Sequence, residues 1–116
     1  MLSSYKKSLL FEDRLRKANL LIAKYPGRVP VICEKYQGQD NPDIDKNKYL
    51  VPVDITIGQF LLIIRQRIKL NPNEAIFLFV NCNIVPTGDY MEEVYAKYKD
   101  HDNLLYITYS KESTFG

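Results

Sequence analysis

The side chains in this sequence that could act as a nucleophile and a base are two cysteines and a single histidine. Cys33 and Cys82 lie far apart in the chain, and His101 stands between Asp100 and Asp102. A cysteine nucleophile needs a base or a positive charge close by, and the sequence around neither cysteine indicates such activation. We therefore expect two buried, unreactive thiols and no cysteine-based hydrolysis.

A metal site is not indicated either, because the cysteines lack Cys-x-x-Cys spacing and there is no second histidine. The spacing Asp43-x-Asp45-x-Asn47 is that of part of a calcium-binding loop. Such a loop requires a glycine for its sharp turn, and Lys48 stands in its place. The five glycines are scattered singly and form no phosphate-cradling loop. We expect no cofactor, no bound metal and no catalytic residue.

Nucleic-acid binding is suggested by nine tyrosines and by an uneven distribution of charge. Residues 1–28 hold seven Lys and Arg residues against two acids, whereas the rest of the chain is acidic overall. Stacking aromatic rings beside cations is a way to bind a single strand. However, the net charge of +2 is modest for that class of protein, and most tyrosines fall within predicted strands and helices. We expect no nucleic-acid partner.

The chain as a whole has the composition of one soluble domain. Its longest uninterrupted apolar run, residues 75–80, is far shorter than the roughly 20 residues that a membrane-spanning helix needs. The polar N-terminus has no apolar signal-peptide region. The sequence of 116 residues, 46% of them hydrophobic, therefore predicts a cytoplasmic protein with a single core.

The end of the chain offers a different kind of chemistry. Phe115 and Gly116 close a polar tail that follows the last predicted strand. Because glycine has no side chain, its backbone can enter a narrow active site and its terminal carboxylate is unhindered. This pattern predicts a chain that can be attached to another molecule through the carboxylate of Gly116.

Residues 48–53 offer a binding surface. They have the composition of a strand but contain Pro52, which cannot donate to a sheet ladder and so belongs at a sheet edge. An edge strand can accept a partner peptide as an added strand. Lys46, Lys48 and Arg28 would favour acidic peptides, or the lysines would simply protect the edge from aggregation.

The elements that must position these features follow from the pattern of apolar residues. Ser3 or Ser4, and then Ser8, are expected to cap two N-terminal helices, the second with one apolar face as far as Ile22. Residues 28–33 are apolar on both faces, and they predict a strand that helices cover on both sides.

Further helices and strands follow after this strand. Thr56 and Gln59 predict a capping box for a helix that ends near Leu70. The remaining predicted elements are a strand at residues 74–80, a short helix at 89–99 and a strand at 104–109. This is the element order of an α+β fold of the β-grasp type, with two additional N-terminal helices and a four-stranded mixed sheet. We expect one domain with a helical extension (1–24), a core (25–109) and a flexible tail (110–116).

Six segments of the sequence resemble one family, the autophagy-related ubiquitin-like modifiers, which include the GABA-type-A-receptor-associated and microtubule-associated light-chain-three proteins. These segments are KYPGRVPVI (24–32), KNKYLVP (46–52), GQFLLIIRQRI (58–68), FVN (79–81), LYITYS (105–110) and FG (115–116). The resemblance holds in register from about Phe11 to the end, and it implies a ubiquitin-like fold.

The resemblance also implies a function without catalysis. An activating and a conjugating enzyme would join Gly116 to phosphatidylethanolamine, and a cysteine protease would process or remove the attachment. The chain would dock cargo receptors and adaptors carrying acidic aromatic-x-x-aliphatic motifs. It would be a monomer in solution and would lie on autophagosome and vesicle membranes when lipidated. The alternative is a β-grasp peptide-docking domain of vesicle trafficking that is never conjugated.

The resemblance further implies two pockets for the anchors of the peptide and a set of cations for its acids. The implied aromatic pocket consists of Leu21, Pro30, Ile32, Lys48, Leu50 and Leu104. The implied aliphatic pocket consists of Tyr49, Val51, Pro52, Ile55, Phe60 and Ile63. The implied cations are Arg28, Lys46 and Arg67.

Three departures from the family pattern bear on partner preference. Lys17 stands where an acid is common, and it should attract acidic flanks of a peptide. Leu104 stands where an aromatic residue is usual, and it should change the shape of the aromatic pocket. Leu9 and Leu10 replace a common His-Pro pair, and they are expected either to approach an anionic bilayer or to pack in the core.

Overall fold

The computed structural model describes residues 3–38 and 40–113 of the chain. Its elements are α1 (Ser4–Ser8), α2 (Phe11–Lys24), β1 (Arg28–Lys35), β2 (Lys48–Pro52), α3 (Ile57–Arg67), β3 (Phe77–Val80), β4 (Asn83–Ile84), α4 (Met91–Tyr98) and β5 (Leu105–Ser110). The strands form one mixed sheet in the order β2-β1-β5-β3-β4. β1 is parallel to β5, and the other pairs are antiparallel. The predicted β-grasp with two added N-terminal helices is confirmed.

Different helices cover the two faces of β1, as its apolar sequence predicts. Val31 and Cys33 belong to the main hydrophobic core, which includes Phe60 of α3. Ile32, which points to the opposite face of the strand, joins Tyr5 of α1 in a second buried cluster. The sheet is therefore enclosed between α3 and the N-terminal helices, and this explains why β1 lacks alternation of apolar and polar residues.

The sheet has five strands and not the predicted four. The additional strand, β4, is only two residues long and pairs with Phe79 and Val80 of β3. The turn between β3 and β4 places Asn81 and Cys82 at positive φ, 51° and 65°. Two consecutive positive φ values are typical of tight hairpin turns, for which glycine is the usual sequence signal. Because this turn contains no glycine, the hairpin was not predicted.

The N-terminal helices are capped differently from the prediction. The side chain of Ser3 caps α1 by accepting from the amides of Tyr5 and Lys6, which confirms one of the two predicted positions. Ser8, however, does not cap α2, since its hydroxyl donates to the Tyr5 carbonyl at 2.8 Å and so belongs to the end of α1. α2 follows Leu10 without any side-chain cap bond.

The capping box of α3 is confirmed, but the helix is shorter than predicted. The Thr56 hydroxyl accepts from the Gln59 amide at 3.2 Å, and the Gln59 side chain accepts from the Thr56 amide at 2.8 Å. The helix ends at Arg67 and not near Leu70, because Ile68 is extended and forms an isolated bridge with Ile44.

Several other boundaries differ from the prediction by one to three residues; β1, for example, runs to Lys35 and not to Cys33. β3 begins at Phe77, since the backbone between Asn71 and Glu74 turns and the Glu74 amide donates to the Asn71 carbonyl at 2.9 Å. α4 begins at Met91 without a side-chain cap. β5 extends to Ser110, which pairs with Phe77, so the tail starts one residue later than predicted.

A buried ion pair joins the N-terminal helices to the β-grasp core, and the sequence did not predict it. Arg14 of α2 donates from Nε to Asp102 at 2.9 Å, and the side chain of Asp102 is only 1% exposed. Asp102 also accepts from the Leu104 amide and from the Tyr106 hydroxyl. Burial raises the pKa of Tyr106, and the hydrogen bond to Asp102 raises it further. The Asp102 carboxylate thus links Arg14 of α2 to Leu104, which precedes β5, and to Tyr106 within β5.

Candidate peptide-docking surface

β2 lies at one edge of the sheet, as the proline within it predicts. Its register against β1 runs from Arg28 opposite Pro52 to Ile32 opposite Lys48, and no strand within the described ranges pairs with its other side. The guanidinium of Arg28 crosses to β2 and donates to the Leu50 carbonyl at 3.2 Å. A strand edge without a neighbouring strand can accept an added strand, and such a strand would compete with Arg28 for the Leu50 carbonyl.

The six residues of the implied aromatic pocket fall into a buried group and an accessible group. Ile32 and Leu104 are almost inaccessible, at 2% and 3% exposure, and Pro30 is also buried. Leu21 and Lys48 are exposed and Leu50 is half-buried, so these three side chains make the accessible rim. A peptide side chain would first meet this rim.

Tyr5 packs with two buried residues of the implied aromatic pocket, Ile32 and Leu104, and it was not among the site residues expected from the sequence. It forms a buried cluster with Ala18, Ile32 and Leu104, and the Lys48 ammonium lies 5.4 Å from the centroid of its ring. Burial raises the pKa of the Tyr5 hydroxyl, and the charge of Asp102 acts in the same direction. The sequence signal that could have indicated this contact is the four-residue spacing of Tyr5 and Leu9, because both side chains pack on this cluster.

The implied aliphatic pocket lies on the opposite face of β2, since Tyr49 and Val51 alternate with Lys48 and Leu50 along the strand. Val51 and Phe60 belong to the main core and are inaccessible, whereas Tyr49, Pro52 and Ile55 are half-buried. The remaining member, Ile63 of α3, is 39% exposed. The rings of Tyr49 and Phe60 meet edge to face with centroids 5.6 Å apart.

The tyrosine in this second pocket is held in place by two interactions. The Tyr49 hydroxyl donates to the Lys46 carbonyl at 2.6 Å, and the Lys46 ammonium lies 5.2 Å from the centroid of its ring. Burial raises the pKa of Tyr49 to about 12. The Tyr49 ring thus lies between β2 and Phe60 of α3.

Cations surround both pockets. Arg28, Lys46 and Lys48 are exposed, and neither lysine forms a salt bridge within the part of the chain that the structure describes. Arg67 lies 3.7 Å from Asp45 in an exposed pair, which contributes little and is easily exchanged for another partner. Lys17 lines a hollow of about 360 Å³ together with Tyr5 and Lys48. The surface beside β2 is therefore cationic.

The two cysteines differ in accessibility, which corrects the expectation that both are buried. Cys33 is fully buried in the main core, and burial raises its pKa, with the negative charge of Glu34 adding to the effect. Cys82 is exposed in the turn between β3 and β4. His101 is exposed, and its backbone amide donates to Asp100.

Cys82 is expected to react with a thiol reagent in the folded chain, whereas Cys33 should react only after denaturation. The buried thiol neither forms a thiolate readily nor admits the reagent. Counting thiols with Ellman's reagent before and after addition of guanidinium checks this. A folded Cys82→Ser chain should take up no reagent, and fast labelling of that variant would contradict the burial of Cys33.

The spacing that suggested a calcium loop is occupied by ion pairs. Asp43 bonds to the ammonium of Lys35 at 2.5 Å, and Asp45 pairs with Arg67. No group of three or more His, Cys, Asp or Glu side chains placed to hold a metal occurs in residues 3–38 and 40–113. Over the same residues, no helix is both long enough and apolar enough to cross a bilayer.

Comparison with known proteins decides the family. The profile described as "Autophagy protein Atg8 ubiquitin like" matches residues 13–116. The chain belongs to the Atg8 family. Autophagy-related protein 8 of Candida glabrata is 50% identical over 116 residues, which is 100% of this chain and 98% of that protein. That of Emericella nidulans is 52% identical with the same coverage.

Two solved Atg8 structures share the fold. The crystal structure of Trypanosoma brucei ATG8 superposes with a TM-score of 0.92 at 41% identity and covers 100% of both chains. Plasmodium falciparum Atg8, solved in complex with an Atg3 peptide from the same organism, superposes with a TM-score of 0.87 at 36% identity and covers 98% of this chain and all of that one. Membership in the Atg8 family confirms that the chain is a ubiquitin-like modifier of autophagy and not an enzyme.

Proposed function

We propose that this Atg8-family chain docks acidic aromatic-x-x-aliphatic peptides along β2 and is joined through Gly116 to phosphatidylethanolamine. The observation that carries the docking part is an edge strand without a partner on one side, with apolar residues on both of its faces and beside it two exposed lysines that form no salt bridge among the described residues. Gly116 lies outside the described residues, and the conjugation part rests on the family and on the terminal glycine of the sequence.

Docking begins with the backbone of the peptide, which pairs with the free edge of β2 and thereby fixes its register. Side chains two residues apart on a strand point to the same face, and side chains three residues apart point to different faces. An aromatic-x-x-aliphatic motif therefore reaches sites on different sides of the edge. The aromatic side chain rests on the rim of Leu21, Leu50 and Lys48. The aliphatic side chain enters between Pro52 and Ile63.

Acidic residues beside the motif are recognised by the surrounding cations. Lys46, Lys48 and Lys17 contact acidic residues that precede the aromatic anchor of the peptide. Arg28 and Arg67 contact the remaining acidic residues of the peptide. Because these side chains are exposed, their main effect is on specificity and association rate, with a strong dependence on salt.

The proposed partners follow from the two activities. The complex of Plasmodium Atg8 with an Atg3 peptide supports docking of a conjugating enzyme. We add an activating enzyme, a cysteine protease that processes and removes the attachment, and cargo receptors and adaptors with the motif. The chain is a monomer in solution, and once lipidated it lies on autophagosome and cytoplasmic vesicle membranes.

Leu50→Ala is expected to weaken binding of an acidic aromatic-x-x-aliphatic peptide by about 1–3 kcal/mol. Leu50 forms the middle of the rim, so its truncation removes apolar area from a site that loses its water on binding. Isothermal titration calorimetry measures the difference. Leu62→Ala is the matched control, because Leu62 is 61% exposed on α3 and belongs to neither pocket. Equal affinities of the two variants would remove Leu50 from the site.

The test of conjugation is a reconstituted reaction with ATP, activating and conjugating enzymes of the family and liposomes that contain phosphatidylethanolamine. A lipidated band with faster electrophoretic mobility is expected only when all components are present. A chain that binds the peptide but never acquires the band would instead be an unconjugated docking domain.

A further inference from the structure

The loop between β1 and β2 reaches the end of β5, on the opposite side of β1 from the docking edge. Asn41 in this loop is only 7% exposed. Its side-chain nitrogen donates to the Tyr36 carbonyl at 3.1 Å, and its side-chain oxygen accepts from the Lys111 amide at 2.9 Å. The next residue, Pro42, accepts through its carbonyl from the Tyr109 hydroxyl.

Lys111 is the first residue after β5, so its amide has left the sheet ladder. An exposed tail would ordinarily leave such an amide to water. Here the Lys111 amide donates to the buried side chain of Asn41. The oxygen of that side chain faces a donor and its nitrogen faces an acceptor, and this defines the orientation of the Asn41 side-chain amide. Two further contacts hold the same place: Lys111 pairs with Glu74 at 3.4 Å, and the Glu112 amide donates to the Ser110 hydroxyl at 3.1 Å.

The point from which the tail leaves the domain is therefore clamped by side chains from two separate loops. Gly116 is the fifth residue after Lys111, so covalent geometry keeps the glycine within about 17 Å of this point. The direction imposed at Lys111 limits the volume that the C-terminal carboxylate can sample. A restricted volume lowers the entropy cost of placing the carboxylate in an enzyme's active site.

We propose that Asn41 is a positioning residue for conjugation, which acts by fixing the direction of the tail at Lys111. The inference rests on the proposed conjugation through Gly116 and assigns a role in it to the loop between β1 and β2. Asn41 does not touch the reacting atoms. Asn41 acts before the C-terminal carboxylate enters the active site of the enzyme. Its effect is therefore on productive binding of the chain.

The experiment measures thioester formation with the activating enzyme for the wild-type chain and for Asn41→Ala. Loss of one hydrogen bond that orders the tail is expected to raise KM about threefold to tenfold and to change kcat less than about twofold. Hydrogen exchange of the Lys111 amide should accelerate in the variant. Binding of the aromatic-x-x-aliphatic peptide should be unchanged, because Asn41 lies outside both pockets.

Two further variants separate positioning from loss of stability. Tyr109→Phe removes another hydrogen bond between the loop and β5, and it should also raise KM. Tyr95→Phe removes a comparable bond from a tyrosine hydroxyl to the Asn103 carbonyl, at the opposite end of β5 from the tail, and should leave KM unchanged.

The outcomes distinguish this inference from the proposed function. If the wild-type chain forms thioester and Asn41→Ala does so with the same KM, or with a lower one, the inference is overturned and conjugation stands. If Tyr95→Phe raises KM as much as Asn41→Ala, stability and not tail direction is responsible. A wild-type chain that forms no thioester overturns both proposals.

Discussion

Asp102→Ala is expected to lower the free energy of unfolding by about 3–5 kcal/mol, because it leaves the guanidinium of Arg14 in a buried position without its partner. The Tyr106 hydroxyl and the Leu104 amide lose their acceptor in the same variant. Each unsatisfied polar group that stays buried adds to the loss. Urea denaturation followed by circular dichroism measures the change.

The matched control is Asp100→Ala, two residues away. Asp100 bonds to the ammonium of Lys6, and both side chains are substantially accessible to water, at 34% and 25%. Water and salt screen such a pair, so the variant should lose at most about 1 kcal/mol. If the two alanine variants were equally stable, the Arg14–Asp102 pair would not be what holds α2 to the core.

A double replacement separates the cost of an unpaired charge from the value of the pair itself. Arg14→Met/Asp102→Ala removes both charges and keeps an apolar side chain on α2. It is expected to be more stable than Asp102→Ala alone, since no isolated guanidinium remains buried. A double variant less stable than either single variant would show that the two residues contribute independently.

Gly116→Ala is expected to reduce lipidation on the order of tenfold or more, and deletion of Gly116 should abolish it. The terminal carboxylate must be adenylated, transferred to an enzyme cysteine and then attacked by the lipid amine. Each step requires the last residue to fit a confined catalytic centre, which a β-carbon obstructs. The rate of appearance of the lipidated band in the reconstituted reaction measures the effect.

The control for this experiment is the peptide affinity and the melting temperature of the same two variants. Both should equal those of the wild-type chain, because Gly116 follows the last strand and belongs to neither pocket. Lipidation of either variant at the wild-type rate would refute attachment through Gly116. Loss of peptide binding together with lipidation would indicate a folding defect instead.

Elements whose signals lie within a few residues were predicted correctly. The capping box of Thr56 and Gln59 is a contact between residues three apart, and it forms as expected. The edge position of β2 follows from Pro52, which cannot donate to a ladder, and from the lysines beside it. β1 is apolar on both faces, and this predicted that helices cover it on both sides. In each case the chemistry of neighbouring residues was enough.

Predictions failed where a contact or turn that the sequence pattern does not indicate replaces the expected one. Ser8 has the chemistry of a helix cap, yet its hydroxyl bonds back to Tyr5, and Arg14 near the start of α2 is anchored by the carbonyls of Lys6 and Leu9. Ile68 has the apolar spacing of α3 but is drawn into a bridge with Ile44. Cys82 has no local signal of its exposure, which results from a turn without glycine.

The sequence by itself determined the family, the order of helices and strands, and the edge strand on which docking is proposed, because these depend on local spacing and on motifs of adjacent residues. Tertiary structure alone decided that Arg14 meets Asp102 across 88 residues and that Asn41 meets Lys111 across 70. It also decided that Tyr5 packs with Ala18, Ile32 and Leu104 in a buried cluster. The physical reason is that a buried polar group needs a hydrogen-bond partner, and the fold can place that partner anywhere in the chain. The residues next to the polar group therefore do not indicate which partner it has.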